Sequence, residues 1–349
     1  MTILTKTLKI FDVRAYVKVE RKEVVRLELS AFLSGLIPSF SYKNFFITSF
    51  AKKVLKDRLK EVAIWGCART YDLSFKLRLK GFRKVKKPIK PYAFIRVCNE
   101  IPTLKVSLES IAFLERGIIA YNDCTDGSKE VILEFCKQHE GFKAYEYPYH
   151  VKPIKQEGRS FGKDYKELYE YYNFALDKIP KDEWLLKIDV DQIYLQDITE
   201  ESFKYVEYEN DIVFYPRVNL HVIDDEVLVG KDVPLSDVDD HWLIFNHNLS
   251  FKKFVDRNFV MEILNLPHTK LNYIKSTINS FHFPFLKKQR FTSDKSRFLS
   301  LEEFKDRYKN DRASIVADNH LPVRKGELLN LELFDEKLPE VLKKLKFNP

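Results

Sequence analysis

The feature that most constrains the fold is an alternation that begins at Pro91. PYAFIRV reads as an apolar strand, TLKVSLESIAFLE has helical spacing, GIIAYN is a second strand and SKEVILEFCKQH a second helix. Strands that alternate with crossover helices require a parallel sheet with helices on its faces, because the chain must return to the same end of the sheet before each new strand begins. The predicted class is therefore α/β, with a mostly parallel sheet.

In such a sheet, ligands lie beyond the carboxyl ends of the strands. The first strand ends in Asn99-Glu100, and the second in the turn from Asn122-Asp123 to Gly127-Ser128. A third strand, WLLKI, ends in Asp189-Val190-Asp191 within LLKIDVDQIY. Three acidic strand ends in one crevice repel one another unless a cation or the donor groups of a ligand complement them. Two carboxylates one residue apart at a strand end suit a hard divalent ion, Mg2+ or Mn2+, that also bridges phosphate oxygens. A solvated acidic pair is the alternative, since D-x-D alone also occurs in ordinary acidic loops.

The chain has 349 residues, 45% of them hydrophobic and 14% aromatic, enough for one large domain and a smaller piece. Cys67, Cys98, Cys124 and Cys136 show no C-x-x-C spacing, which argues against a zinc knuckle or a disulfide framework and for a reducing compartment. MTILTKTLKIFDVRAY lacks the apolar run of a signal peptide, and LELSAFLSGLIPSF is short and interrupted by Pro38, so a cytoplasmic protein is expected.

Charge is uneven. Residues 1–90 carry 22 Lys and Arg against 7 Asp and Glu, a net +15, while the remainder is −7 and the whole chain +8. Such a basic region suits an anionic surface, either nucleic acid or the cytoplasmic leaflet, where each nearby Lys or Arg contributes ~1 kcal/mol; a merely solvated face is the alternative. Within it, residues 15–20 and 25–29 alternate in period two as a hairpin would, and residues 49–63 have helical spacing. The basic, proline-bearing GFRKVKKPIKP places a boundary between Gly81 and Pro91. The expected organisation is a basic α+β region over 1–90, a catalytic domain over 91–300 and a helical tail over 301–349.

The run YAFIRVCNEIPTLKVSLESI with GIIAYNDCTDGSKEVILEFCKQ resembles the opening of GT-A nucleotide-sugar glycosyltransferases of the family 2 type. With IPKDEWLLKIDVDQIY and FHFPFLKKQR added, residues 90–300 resemble the bacterial lipooligosaccharide β-1,4-N-acetylgalactosaminyltransferases of family 82. The resemblance implies a GT-A fold and metal-dependent inverting transfer of a sugar, GalNAc foremost, from a UDP-sugar to a lipooligosaccharide or lipopolysaccharide acceptor. UDP-Gal, UDP-GlcNAc and UDP-Glc are the alternative donors.

It also implies roles. Asn99, Glu100 and Asp123 would hold the uridine. Asp189 would reach the ribose or sugar, and Asp191 would ligate Mn2+ or Mg2+ together with Asp189. A departing UDP accumulates negative charge, so a metal and a basic cluster are what the leaving group needs. His282 is then a third metal ligand or an aromatic-packed core histidine. Lys287, Lys288 and Arg290 contact phosphate or line a solvated loop. An inverting transfer needs a general base for the acceptor hydroxyl. LSDVDDHWLIF offers Asp237, Asp239 and Asp240, and Asp240 before His241-Trp242 resembles the acidic-residue-then-Trp signature of family 2. Trp242 would floor the acceptor sugar, and Asp224 and Asp225 are weaker rivals for the base.

The turn NDCTDGS is shorter than the family 2 pattern, and Arg96 stands where a proline often precedes Asn-Glu. The implied location is the inner face of the inner membrane, held peripherally by the basic region on anionic lipid, with no nucleic acid partner. Two other classes fit less of the sequence. A metal-dependent phosphodiester hydrolase would show two-metal carboxylate spacing, and a non-catalytic basic adaptor leaves the acidic strand ends unexplained.

Overall fold

The computed structural model describes residues 83–349 apart from 157–158, 238–239, 257–258, 267–270, 289, 315, 318–322 and 347–349. The hairpin expected at 15–29, the helix expected at 49–63 and the rest of the basic region up to residue 82 lie outside the described residues. The chain divides between Gly81 and Phe82, and all the described residues belong to the second unit.

The elements that build the site are β1 (Tyr92–Val97), α1 (Ile101–Ser110), β2 (Gly117–Tyr121), α2 (Ser128–Gln138), β3 (Phe142–Glu146), α3 (Leu168–Leu176), β4 (Trp184–Ile188) and β5 (Gln192–Tyr194). They continue with β6 (Asp211–Phe214), β7 (Arg217–Ile223), β8 (Glu226–Gly230), β9 (Trp242–Phe245), β10 (Ser250–Asp256), β11 (Phe259–Asn265), β12 (Asn272–Lys275), β13 (Ser280–His282), α4 (Leu301–Asn310) and β14 (Val323–Arg324). The main sheet has eight strands in the order β14-β12-β6-β9-β4-β1-β2-β3. All neighbours are parallel except β9, which runs antiparallel to both β4 and β6. The expected α/β class, with a mostly parallel sheet flanked by helices, is the one observed.

Period-two alternation divides the sheet between two cores. Ala93, Ile95 and Val97 of β1 pack with Leu104 and Leu108 of α1 and Ile132 of α2. Phe94, Leu185 of β4 and Trp242 and Ile244 of β9 point the other way, onto Tyr171, Tyr172 and Ala175 of α3. β1 and β4 are apolar on both faces because both faces are covered. Burying a side chain such as Phe94, 1% exposed, contributes roughly 1.5–3 kcal/mol. The helix expected from TLKVSLESIAFLE stops at Ser110, and Ala112–Leu114 turns more tightly before Glu115 adopts a left-handed φ of 62°.

A second sheet joins β8, β7 and the short strand Leu235–Ser236, and β13 bridges β7 and β5. Residues beyond 300 are not an appended tail. Phe304 and Tyr308 of α4 and Leu333, Phe334, Leu338 and Leu342 pack around Phe281, Phe283 and Leu299 in one core, and β14 is an edge strand of the main sheet. That correction has a physical cause: α4 is mostly charged in sequence, LEEFKDRYKN, and only two of its residues are buried.

Candidate active site

Strand parity and register assemble the site. β4 lies beside β1 with Phe94 opposite Lys187 and Ile95 opposite Ile188, so one step further brings Arg96 beside Asp189. The Arg96 guanidinium lies over the Tyr172 ring, 3.2 Å from its centroid, and is 3.8 Å from Asp189 Oδ1. Lys187, 2% exposed, shares that face; its Nζ is 3.5 Å from Asp189 Oδ2 and forms an ion pair with Asp240.

Asp240 arrives there because β9 is antiparallel. The beginning of β9, rather than its end, lies at the carboxyl edge of the parallel strands, so Asp240 and His241 face Asp189 across the edge. His241 Nε2 is 3.0 Å from Asp189 Oδ2 and its Nδ1 is 3.2 Å from Asp240 Oδ1. One ligand atom each from Asp189, Asp240 and His241 lie within 4.8 Å of one another, close enough to share a cation. Burial alone would push the Asp189 carboxyl up, but Lys187, His241 and Arg96 together hold it well below the usual carboxylate range.

Asp191 has its own imidazole. β13 pairs antiparallel with β5, placing His282 opposite Gln192, and the Phe283 N–H donates to the Asp191 carbonyl at 2.8 Å. His282 Nδ1 lies 2.6 Å from Asn219 Oδ1 and Nε2 lies 3.3 Å from Asp191 Oδ2. A histidine whose Nδ1–H donates to a fixed oxygen presents Nε2 as a ligand, the arrangement that orients metal-binding imidazoles. Burial pushes the Asp191 carboxyl up, and His282 outweighs it, holding the group below its ordinary value.

The other strand ends adjoin this centre. Asn99 and Asp123 take left-handed φ values of 55° and 49°, which Asn and Asp tolerate better than most residues. Asn99 is occupied in tying the two turns together: its Oδ1 accepts from Thr125 N at 2.7 Å and its Nδ2 donates to the Asp123 carbonyl at 3.2 Å. Asp126 does the same, accepting from Ile101 N and Ser128 N at 3.1 and 3.0 Å. Asp123 Oδ1 is 2.7 Å from His150 Nδ1. Glu100 pairs with Lys287, yet burial outweighs the lysine and pushes its carboxyl up to about 7. Lys288 and Arg290 are exposed on the same loop, and the Arg290 N–H closes a turn on the Lys287 carbonyl at 2.8 Å.

Four expectations about acceptor and base need correction or a boundary. Trp242 is 5% exposed and lies in the α3-side core with Phe94 and Phe251, ring centroids 6.3 and 6.4 Å away, so it has no free face for a sugar. Asp240, two residues earlier on the same face, lies beyond the strand and remains open. Asp237 is buried in ion pairs with Lys275, at 2.8 Å, and with Arg324. Asp224 and Asp225, at φ of 51° and 60°, form the two-residue turn between β7 and β8, whose geometry needs positive φ at both positions. Asp239 lies outside the described residues.

Trp242→Ala is therefore expected to cost about 3–5 kcal/mol in urea unfolding, as deletion of a buried aromatic does. Trp242→Phe is expected to keep the parent's acceptor KM within twofold. A large KM rise in Trp242→Phe would restore the acceptor role.

Arg96, Lys187, His241, His150 and Asn219 are site residues that the sequence motifs did not single out. Period two on WLLKID puts Lys187 and Asp189 on one face, a signal available in the sequence. For Asn219, and for the contact of His241 with Asp189, no local signal exists, because those partners come from strands distant in the chain.

Among solved structures, the chain is similar to the mannosyltransferase PcManGT from Pyrobaculum calidifontis in complex with GDP-Man and Mn2+, at 16% identity and a TM-score of 0.28. That match covers 44% of each chain, so this protein spans less than half of that structure's length, a likeness too slight to argue from. No curated protein matches the chain. The family model described as Beta-1,4-N-acetylgalactosaminyltransferase (CgtA) matches residues 63–323, well over half of the chain and every site residue named above. The chain belongs to the CgtA family of glycosyltransferases.

Proposed function

We propose that the protein transfers GalNAc from UDP-GalNAc to a hydroxyl of a lipooligosaccharide acceptor, with inversion and with a divalent ion, Mn2+ or Mg2+. The observation that carries this reading is the pair Asp189 and Asp191 at the end of β4, each facing an imidazole, His241 and His282. The family description supports the GalNAc donor.

The residues fit a hard cation. Asp189 and Asp240 cluster with one imidazole, His241, and Asp191 at the same strand end faces His282, which Asn219 orients toward it. Such an ion, when bound, neutralises charge that develops on the departing diphosphate. The chain's own groups do the rest. Lys287 and Arg290 lie beside Glu100 at the edge of the crevice, and Lys287 exchanges Glu100 for phosphate oxygens when donor binds. Asp240, side chain 57% exposed, is positioned by Lys187 and His241 to take the proton of the acceptor hydroxyl. The net +15 of residues 1–90 supports a peripheral position on an anionic leaflet, where a lipid-anchored acceptor is presented.

The test is UDP release from UDP-GalNAc, UDP-Gal, UDP-GlcNAc and UDP-Glc, with Mn2+ and with chelator. Fastest release from UDP-GalNAc, abolished by chelation, is expected; equal rates with all four donors or indifference to chelator would overturn the reading. In Asp240→Asn, turnover should fall by roughly 10²-fold or more with donor affinity near the parent's. A parallel loss of Mn2+ affinity would make Asp240 a cation ligand instead of the base.

A further inference from the structure

β10 and β11 form a two-stranded ribbon whose two faces differ. One face is anchored. Phe251 exchanges hydrogen bonds with the Asn173 side chain of α3 at 2.7 and 2.8 Å, and Lys253 reaches Glu167 at 3.1 Å. Glu167 also receives Lys152 at 3.0 Å and Gln156 at 2.9 Å, which brings residues 152–156 against the ribbon. That segment runs along the ribbon edge, with the Val260 N–H donating to the Ile154 carbonyl at 2.8 Å and Lys155 paired with Phe259.

The opposite face is apolar and open. Register pairs Lys252 with Ile263 and Phe254 with Met261 there, one step on from the anchored pairs Phe251–Leu264 and Lys253–Glu262. Phe254, Phe259 and Ile263, with Val255 near the tip, are 42–56% exposed, and Ile154 and Tyr165 of the adjoining segment are similarly open. Lysines accompany these side chains: exposed Lys252 shares the face with Phe254 and Ile263, and Lys166 of the adjoining segment lies 5.0 Å from the Tyr149 ring centroid. Residues 149–166 hold five Lys and Arg against two Asp and Glu, and residues 250–265 hold three against two.

We propose that this ribbon face and the adjoining segment form a lipid-contact surface that seats on an anionic phospholipid bilayer. Exposed aromatic and aliphatic side chains bordered by lysines match the two halves of such an interface, acyl boundary and phosphate. A second copy of the chain fits less well, because a two-fold contact through this face would oppose lysine to lysine. The surface belongs to the unit from Phe82 to Pro349. Its position bears on the site: α3, to which the ribbon is anchored, carries the Tyr172 ring that supports Arg96 beside Asp189. On the proposed function, a bilayer under the ribbon therefore lies at the flank of the crevice that would receive a lipid-linked acceptor.

The experiment compares the full chain with Phe254→Ser/Ile263→Ser in flotation with phosphatidylcholine vesicles, with and without phosphatidylglycerol. The parent is expected to float with anionic vesicles and the double variant to bind about tenfold less, while its melting temperature and its UDP release in solution stay unchanged. Phe254→Trp is expected to gain a blue-shifted emission that brominated lipids quench relative to the parent. Equal flotation of the double variant, which would assign membrane attachment to residues 1–90 alone, overturns the proposal. So does an unquenched Phe254→Trp, or a variant that changes the sedimentation coefficient and not vesicle binding. Flotation and quenching do not depend on catalysis, so a protein that releases no UDP still tests the lipid surface, with melting temperature as the fold control.

Discussion

Replacing Asp191 with Asn is expected to lower Mn2+-stimulated UDP release by about 10²- to 10³-fold, the scale of losing one charged contact to a developing anion. The melting temperature should stay near that of the parent. The amide is isosteric with the carboxylate, and the backbone bond from Phe283 that joins β13 to this turn does not involve the side chain. What disappears is the charge facing His282 Nε2, with the ring still fixed by Asn219. Initial rates across a Mn2+ titration, together with calorimetric binding of UDP in the presence of Mn2+, measure the effect. A variant that keeps the parent's metal dependence would show that Asp191 does not hold the ion.

Lys187→Met should be the most destabilising single change at the site, costing about 3–5 kcal/mol at pH 7, the usual consequence of leaving a buried charge without its partner. Burial disfavours the Lys187 ammonium, but Asp189 and Asp240 outweigh it and raise its pKa above the ordinary lysine value. The stability it contributes is therefore present below pH ~10.4 and lost only as pH rises through the raised value. Asp189 works in the opposite sense: its lowered pKa contributes stability above pH ~3.9 that is lost as pH falls. The difference between parent and variant should thus be flat from about pH 5 to 9 and shrink progressively as pH falls below about 4 toward the lowered value at which the folded Asp189 is protonated. Urea unfolding at pH 7 and at about pH 3 measures this, and a loss under ~1 kcal/mol at pH 7 would mean that Lys187 is dispensable.

Some of the site is legible residue by residue. The apolar runs of β1, β2 and β4, the helical spacing of α2 and the polar ends Asn99-Glu100, Asn122-Asp123 and Asp189-Val190-Asp191 are local signals. They place acidic groups at the carboxyl edge of a parallel sheet without any knowledge of packing. Glu100 and Lys287 are 187 positions apart and their pairing is not legible, since it depends on how the loop after β13 folds back over the crevice.

LSDVDDHWLIF shows the division most sharply. Its sequence alone establishes an acidic turn before an apolar strand, and strand alternation puts Asp240 and Trp242 on the same face. It does not establish which way the strand runs. Because β9 is inserted antiparallel between β4 and β6, its first residues meet the ends of its neighbours, which turns Asp240 and His241 toward Asp189 and sinks Trp242 against Phe94 and Phe251. The same packing gives Asp237 to Lys275 and Arg324 and removes it from the crevice. Hydrophobic period and strand-end chemistry are properties of a few neighbouring residues, so the sequence determined the α/β class and the acidic edge. Direction of insertion and choice of ion-pair partner are properties of strands dozens of residues apart, and only the tertiary structure decided them.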